Sequence, residues 1–449
     1  MVTRRNFMKK STLLATGVGA SFLFPVELLA TLRKKVSPND QIQVGLIGCK
    51  GMGFANLLSM LKISDVQVVA LCDVDENVLK SRVEELKKAN IKEPKLYRDY
   101  RKMLEDKDVD IVIIGTPDHW HCLQLTDTIM AGKDAYCEKP IANSVQECDV
   151  MLKYVNASDR IVQIGQWQRS QPHFKEAIDF VHSGKLGQIR LAKAWAYQGW
   201  MKPVTVVSDS DVPSGVDYDM WLGPAPKRAF NENRFHFNFR WFWDYAGGLM
   251  TDWGVHLLDY ALYGMKASRP KSVMALGGKF AYPNDASETP DTLQTVFEFD
   301  QFSILWEHAT GIDGGNYGRN HGIAFIGNMG TLVLNRDGWE VIPEKEFQGW
   351  GKEGIDRMER IPLKVSDGVN GLDLHTQNFI EAVKTRDSSV LNAPIQVGYD
   401  TAVVSHMGNV AYKNGNRIYW DEEKNSFTEE DANQFLNATY HNGWKLPEY

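Results

Sequence analysis

Between residues 41 and 164, short apolar runs alternate with helical stretches, and a glycine-rich turn follows the first run. From residue 188 onward the apolar runs lengthen and alternate in polarity. Together these predict a two-domain α/β chain: a doubly wound parallel sheet of Rossmann type, then an α+β domain with a large, mostly antiparallel sheet. At 449 residues, 43% of them hydrophobic, the chain can build a core in each domain.

The first unit reads as a strand at 42–47, a turn containing Gly48, Gly51 and Gly53, and a helix at 54–61. A second buried strand at 66–71 precedes an amphipathic helix at 76–89; a third at 109–114 precedes a helix at 123–130. Shorter units follow, with a strand at 135–137, a helix at 145–155 and a strand at 161–164, where the cofactor domain ends. Beyond it, alternating strands are expected at 189–197, 272–276, 293–299, 303–307 and 322–326, an antiparallel pattern. Helices at 174–183, 255–263, 374–384 and 401–412 would cover one face of that sheet. The expected divisions are a signal segment at 1–30, a linker at 31–40, an NAD-binding Rossmann domain at 41–164, and a substrate-binding and oligomerisation domain at 165–449.

The signal segment has a basic head, Thr3 to Lys10, containing Arg4-Arg5, and then a charge-free apolar stretch at 13–24. This is the pattern of a twin-arginine export signal, so the expectation is export to the periplasm in the folded state through the twin-arginine machinery. The apolar stretch is too short to span a bilayer, and no stable membrane span is expected in the mature chain. Five cysteines confined to residues 49–148 do not form a disulfide framework, consistent with folding in a reducing compartment. A net charge of −7 leaves no basic surplus for nucleic acid, so the expected partner is a small polar molecule.

Glycines 45, 48, 51 and 53 lie where missing side chains let a backbone approach a pyrophosphate at a helix N-terminus. The customary G-x-G-x-x-G spacing would need glycine at position 50, where Lys50 stands, so the turn alone is a weak signal. Asp73 strengthens it: twenty residues after Gly53, it ends the second strand where a carboxylate can bind both ribose hydroxyls of NAD. Asp75 and Glu76 follow, with no arginine before Arg82, so a 2′-phosphate would meet repulsion and NAD is expected over NADP. An ordinary helix-capping role for Asp73 is the competing explanation.

Further along stand Gly115-Thr116-Pro117-Asp118-His119-Trp120-His121 and Glu138-Lys139-Pro140, each after a predicted strand. Gly165-Gln166-Trp167-Gln168-Arg169, Trp221-Leu222-Gly223-Pro224-Ala225-Pro226 and Gly247-Gly248-Leu249-Met250-Thr251-Asp252-Trp253-Gly254-Val255-His256 follow in order. With Glu288-Thr289-Pro290-Asp291-Thr292, the stretch from His375 to Phe379, and Trp420-Asp421, this succession resembles the Gfo/Idh/MocA oxidoreductase family, in the variant seen in exported bacterial members. The resemblance implies that Gly48, Lys50, Gly51, Met52, Asp73, Thr116, Pro117, His119, Trp120, His121, Glu138 and Lys139 contact the dinucleotide. It also implies that Lys139, Asp252 and His256 are catalytic and that the protein is a homo-oligomer.

Asp252 and His256 are spaced i,i+4, so on one helix start a carboxylate could orient an imidazole that accepts a hydroxyl proton. Lys139, at a strand end beside the nicotinamide, would donate to the reacting oxygen. One by one, the three residues also fit a helix cap, a buried histidine and a solvated lysine. His119-x-His121 beside Asp118 has the donor types of a zinc site, but nothing completes a shell and no metal is expected. The substrate half is rich in aromatics that can stack on sugar rings, although aromatics more often pack cores. Trp167, Arg169 and Tyr218, in or beside the motifs, are the expected substrate contacts, with Asp252 and His256.

Two activities fit these residues. One is an NAD-dependent dehydrogenase for a secondary hydroxyl of a sugar, glycoside or polyol; export would require the dinucleotide to be tightly bound. The other is an NAD-dependent glycoside hydrolase working by transient ring oxidation and elimination, for which Tyr197 or Tyr245 could serve as a second base.

Overall fold

A computed structural model of the protein describes residues 41–449. The twin-arginine segment and linker expected at 1–40 lie outside these residues.

Six strands, β1 (Ile42–Ile47), β2 (Val66–Cys72), β3 (Lys95–Tyr97), β4 (Ile111–Ile114), β5 (Asp134–Cys137) and β6 (Val162–Ile164), form a wholly parallel sheet in the order β3-β2-β1-β4-β5-β6. This is the doubly wound order, and its reversal between β1 and β4 opens a crevice at their carboxyl ends. β1 and β4 are buried on both faces, as their near-continuous aliphatic runs require. β3 and the short helix Tyr100–Leu104 are absent from the expected set. β3, a three-residue edge strand with two exposed residues, carries too little apolar pattern to be read.

The second sheet has ten strands in the order β16-β13-β12-β11-β7-β10-β9-β8-β17-β18. They are β7 (Ile189–Gln198), β8 (Ser272–Gly278), β9 (Thr292–Glu298), β10 (Ser303–Thr310), β11 (His321–Gly327), β12 (Gly330–Asn335), β13 (Gly338–Pro343), β16 (Ile361–Val365), β17 (Ile418–Asp421) and β18 (Ser426–Phe427). A separate pair, β14 (Lys345–Glu346) and β15 (Ile355–Asp356), forms a small exposed hairpin. All pairings in the large sheet are antiparallel except β7 with β10. Helices Pro172–His182, Gly254–Met265 and Ile395–Asn414 cover one face, burying Phe174, Tyr260, Met407 and Trp306 in one core. On the other face Met274, Leu276 and Val296 are exposed.

Helix Gly371–Thr385 belongs spatially to the first sheet, although the sequence division put everything after 164 in the second domain. Its Phe379, Ile380 and Ala382 join Val44, Leu57 and Tyr136 in the nucleotide-side core. Asp373 accepts from Ser59 (2.7 Å) and pairs with Lys62 (2.7 Å). The amphipathic pattern reveals a buried face but not which sheet it buries against.

Candidate active site

The crevice of about 590 Å³ at the β1/β4 reversal begins at the glycine turn. Gly48 has φ +82°, and a Cβ there would sit 2.7 Å from the Gly115 backbone; one on Gly53 would sit 2.1 Å from the Gly48 carbonyl oxygen. Gly45 lies inside β1 against Met103. The turn is therefore built by Gly48, Gly53 and Gly115, while Gly51, at φ +55°, faces open space before helix Met52–Met60. That helix has no side-chain cap and no acidic first-turn residue, so its N-terminal amides remain available to an anion. Lys50 replaces a glycine at the exposed apex of the turn, where a side chain is tolerated.

Asp73 closes β2 on the groove wall and accepts from Cys49 N (2.8 Å) and Asp75 N (3.0 Å). Burial pushes its carboxyl up to about 6 against those two donors. Asp75 instead caps the following helix and meets His236 Nε2 at 3.0 Å. Arg82 reaches the same wall, donating to Cys49 O (2.9 Å) and pairing with Glu85; Arg98, beside it, pairs with Glu76 at 2.8 Å. These residues fit a nicotinamide dinucleotide: a cradle only glycine can form, an uncapped helix start, and a carboxylate at the end of the second strand.

The groove is roofed by the chain between β7 and the next long helix. Asp217 N donates to Val74 O (2.9 Å), Glu76 N to Gly215 O (3.0 Å), and Met220, Trp221, His236, Phe237 and Phe239 line the far wall. The aromatic cluster holding this roof includes Tyr218, stacked on Trp221 with its hydroxyl near Ala229 O (3.4 Å). Tyr218 thus serves the roof, among Phe230 and Phe235, and is not part of the groove lining.

Of the second motif, Thr116, Pro117, Asp118 and Trp120 line the groove, but His119 and His121 do not. His121 bridges Pro140 O (2.7 Å) and Thr116 O (2.9 Å), and His119 lies 3.2 Å from Trp221 O against the ring of Tyr245. The motif opens helix Asp118–Met130, which starts five residues earlier than expected, and both imidazoles are buried outside the groove lining. Burial lowers both to about 4, for His121 against the pull of the two carbonyls that face its ring nitrogens, and both brace the loop. Among the described residues no cluster of His, Cys, Asp or Glu could hold a metal ion.

Glu138, buried at the end of β5, accepts from Asn56 Nδ2 (2.8 Å) on the first helix. Beside it Lys139, joined to Pro140 by a cis peptide, donates through Nζ to Asp252 O (2.9 Å) and Asp252 Oδ1 (3.1 Å). Arg240 Nε reaches the same carboxylate at 3.3 Å. Burial would raise Asp252, but Lys139 and Arg240 hold it below the ordinary carboxylate value. Asp118, also near these charges, is pushed up to about 8 by burial.

Asp252 and His256 do not share a helix. Asp252 ends Gly248–Asp252, Trp253 interrupts the helical pattern while staying right-handed helical at φ −93° and ψ −31°, and His256 lies on Gly254–Met265 with no hydrogen bond to the carboxylate and a buried, unpartnered Nδ1. Burial first, and then the charges of Lys139, Arg336 and His321, hold its imidazole well below the ordinary value. The rings of Trp167 (6.4 Å) and Trp253 (6.2 Å) flank it. Arg169, expected at the substrate, is instead locked to Asp259 at 2.6 Å beneath Tyr263. Arg240, Asp118 and His236 line the groove but were missed as site residues: Asp118 stood inside a quoted motif, whereas the other two arrive through tertiary folding with no spacing signal.

The family description "Oxidoreductase family, NAD-binding Rossmann fold" matches residues 42–166, and "Oxidoreductase family, C-terminal alpha/beta domain" of the same family matches 181–276. A "Glycosyl hydrolase family 109 protein 1" of Shewanella sp. (strain ANA-3) is 37% identical over 113 residues, covering 24% of this chain and 25% of that protein. An uncharacterised oxidoreductase of Bacillus subtilis (strain 168) is 26% identical over 246 residues, 55% of this chain and 60% of its own length. The chain thus spans only about a quarter of the Shewanella protein in that match. The fold is shared with levoglucosan dehydrogenase in complex with NADH and L-sorbose (TM-score 0.63, 18% identity, 85% of this chain and 99% of the other). It is also shared with aldose-aldose oxidoreductase from Caulobacter crescentus (TM-score 0.60, 19% identity, 85% and 100%). With the glycine cradle, Asp73 and the ordered motifs in place, the chain belongs to the Gfo/Idh/MocA oxidoreductase family and carries its NAD-binding Rossmann domain.

Proposed function

We propose that this oxidoreductase acts on a secondary hydroxyl of a sugar, glycoside or polyol. The observation that carries the reading is Lys139, fixed by Asp252 at 3.1 Å at the end of the dinucleotide groove, with the buried His256 imidazole four residues beyond that carboxylate and flanked by Trp167 and Trp253. When bound, the dinucleotide supplies the hydride acceptor. Lys139 Nζ donates to the substrate oxygen and stabilises its alkoxide character, and His256 takes the hydroxyl proton. Asp252 holds Lys139 in place.

Asp73, Asp75 and Glu76 on one wall, with Arg82 and Arg98 engaged by Glu85 and Glu76, support NAD over NADP. The roof packed on Val74 and Glu76 supports tight retention, as an exported enzyme requires. The basic head with Arg4-Arg5 supports periplasmic location through the twin-arginine route, and the exposed Met274, Leu276 and Val296 face supports a homo-oligomer. No described helix is long and apolar enough to cross a membrane.

Hydrolysis through transient oxidation is the second reading, favoured by the glycosyl hydrolase family 109 names of several relatives. Against it, the Tyr197 hydroxyl is directed to Glu307 (3.3 Å), and Tyr245 is fully buried beside His119.

The test is to purify the protein without added dinucleotide, denature it, identify what is released, and incubate intact protein with a glycoside panel. Released NAD together with a ketosugar product supports the dehydrogenase. Free aglycone with unoxidised sugar supports the hydrolase, and failure to bind any dinucleotide overturns both.

A further inference from the structure

Beyond His256 lies an arginine that the proposed reaction does not use. Arg336 occupies the turn between β12 and β13, far from the nucleotide sheet in sequence, yet its guanidinium lies between two indoles. Its Cζ is 4.9 Å from the Trp167 ring centre and 4.8 Å from that of Trp253. These are the same two rings that flank His256. A third aromatic contact closes the cluster, since His321 packs on Trp253 at 5.1 Å.

Sandwiching fixes the guanidinium plane and leaves its edge to make hydrogen bonds. An arginine has five N–H donors, and here one reaches Gln168 Oε1 at 3.4 Å while the buried Nε has no partner. Arg336 forms no ion pair among the described residues. The two carboxylates nearest it in charge are engaged elsewhere: Asp252 by Lys139 and Arg240, and Asp337 by Asn335 Nδ2 at 2.9 Å. Nearby, His256 Nδ1 and His321 Nε2 are likewise buried without partners. A half-buried cation with no ion pair carries an unmet charge, and an anion brought by a ligand would neutralise it.

We propose that Arg336 is a specificity residue that receives a carboxylate of the substrate, so that the sugar oxidised at His256 is an acidic one, a uronic or aldonic acid or its glycoside. A planar carboxylate suits the exposed edge of a stacked guanidinium, which offers two parallel donors, and a single uncommitted cation matches a monoanion. The inference rests on the reading of His256 and Lys139 as the oxidising site, and adds the charge that the substrate must carry.

The experiment measures binding calorimetrically, and reduction of the dinucleotide at 340 nm, on protein carrying its dinucleotide. The probes are matched methyl glucosides and galactosides, the corresponding methyl glucuronide and galacturonide, gluconate, and glucose 6-phosphate. Wild type should bind at least one carboxylated sugar about tenfold or more tightly than its neutral counterpart, a charge-assisted hydrogen-bond preference. Arg336→Gln should remove that preference, and Arg336→Lys should restore only part of it, while dinucleotide affinity stays unchanged in both. Retained dinucleotide affinity also shows that the variants fold.

Equal binding of neutral and carboxylated sugars, or a loss in Arg336→Gln that is the same for both, overturns the assignment and leaves the oxidation reading intact. Tighter binding of the phosphate than of any carboxylate overturns the carboxylate assignment. Carboxylate-selective binding without reduction at 340 nm keeps the role of Arg336 and overturns the oxidation reading. Binding of no sugar at all overturns both.

Discussion

In the proposed reaction, His256 is the residue on which the chemistry turns. Burial and the surrounding cations hold its imidazole well below the ordinary value, so it stays a free base where an ordinary histidine, near 6.5, gains its proton. We expect kcat/KM to show no loss as pH falls through about 6.5; an acid limb centred there would contradict a buried, neutral base. Asp118 works from the other side. Pushed up to about 8 by burial, it is neutral below that pH and adds negative charge beside Asp252 and Lys139 above it. An alkaline inflection near 8 in the same profile, abolished by Asp118→Asn, is the expected result. These residues differ in how plainly the sequence announces them. Lys139 and Asp252 sit in motifs and meet at 3.1 Å, whereas the i,i+4 spacing of Asp252 and His256 suggested a hydrogen bond that is not made, the carboxylate being engaged by Lys139 and Arg240.

Among the elements, the strand, glycine turn and helix that open the nucleotide sheet are the most constrained. Gly53→Ala would place a methyl group against the Gly48 carbonyl, so we expect it to abolish dinucleotide binding and lower the Tm. Gly51→Ala meets open space, but φ +55° with ψ −123° lies outside the left-handed helical well, so it should cost about 1–3 kcal/mol in backbone strain while leaving the cradle unobstructed. Denaturant unfolding and dinucleotide titration of the two variants separate the cases. The alternation of buried runs and helical periodicity made this unit legible, because the central strands β1 and β4 are apolar on both faces and the turns after them are marked by glycine. The roof over the groove was not legible: residues 199–217 carry no regular element, and their contacts with Val74 and Glu76 exist only once both sheets are formed.

The whole molecule is held together by a chain that crosses between the sheets more than once. Helix Gly371–Thr385 returns to the nucleotide side, and Phe379→Ala there should destabilise the protein by about 3–5 kcal/mol, since the ring is fully buried. Acid should do the same by protonation. His119, His121, His308, His375 and His406 are lowered to about 4, and His321 to about 3, all chiefly by burial. Below about 6.5 the unfolded chain binds protons that these folded histidines refuse, so stability declines as pH falls from there toward 4. Asp73, Asp118 and Glu147, raised to about 6, 8 and 7, oppose this, but fewer groups are involved. The Tm should therefore drop between pH 7 and pH 5. The large sheet was foreseen as a class but not in its order, because non-local pairings such as parallel β7 and β10 leave no local trace.

The central claim is that His256 and Lys139 oxidise a sugar hydroxyl at the mouth of the dinucleotide groove. Its most direct test is single-turnover reduction of bound dinucleotide, followed at 340 nm after mixing wild type, His256→Ala and Lys139→Met with a panel of neutral and acidic sugars. We predict a reduction transient in wild type with at least one sugar. We also predict a rate lower by about 10²–10⁴-fold in His256→Ala, with dinucleotide affinity unchanged. An equal transient in wild type and His256→Ala would contradict the account.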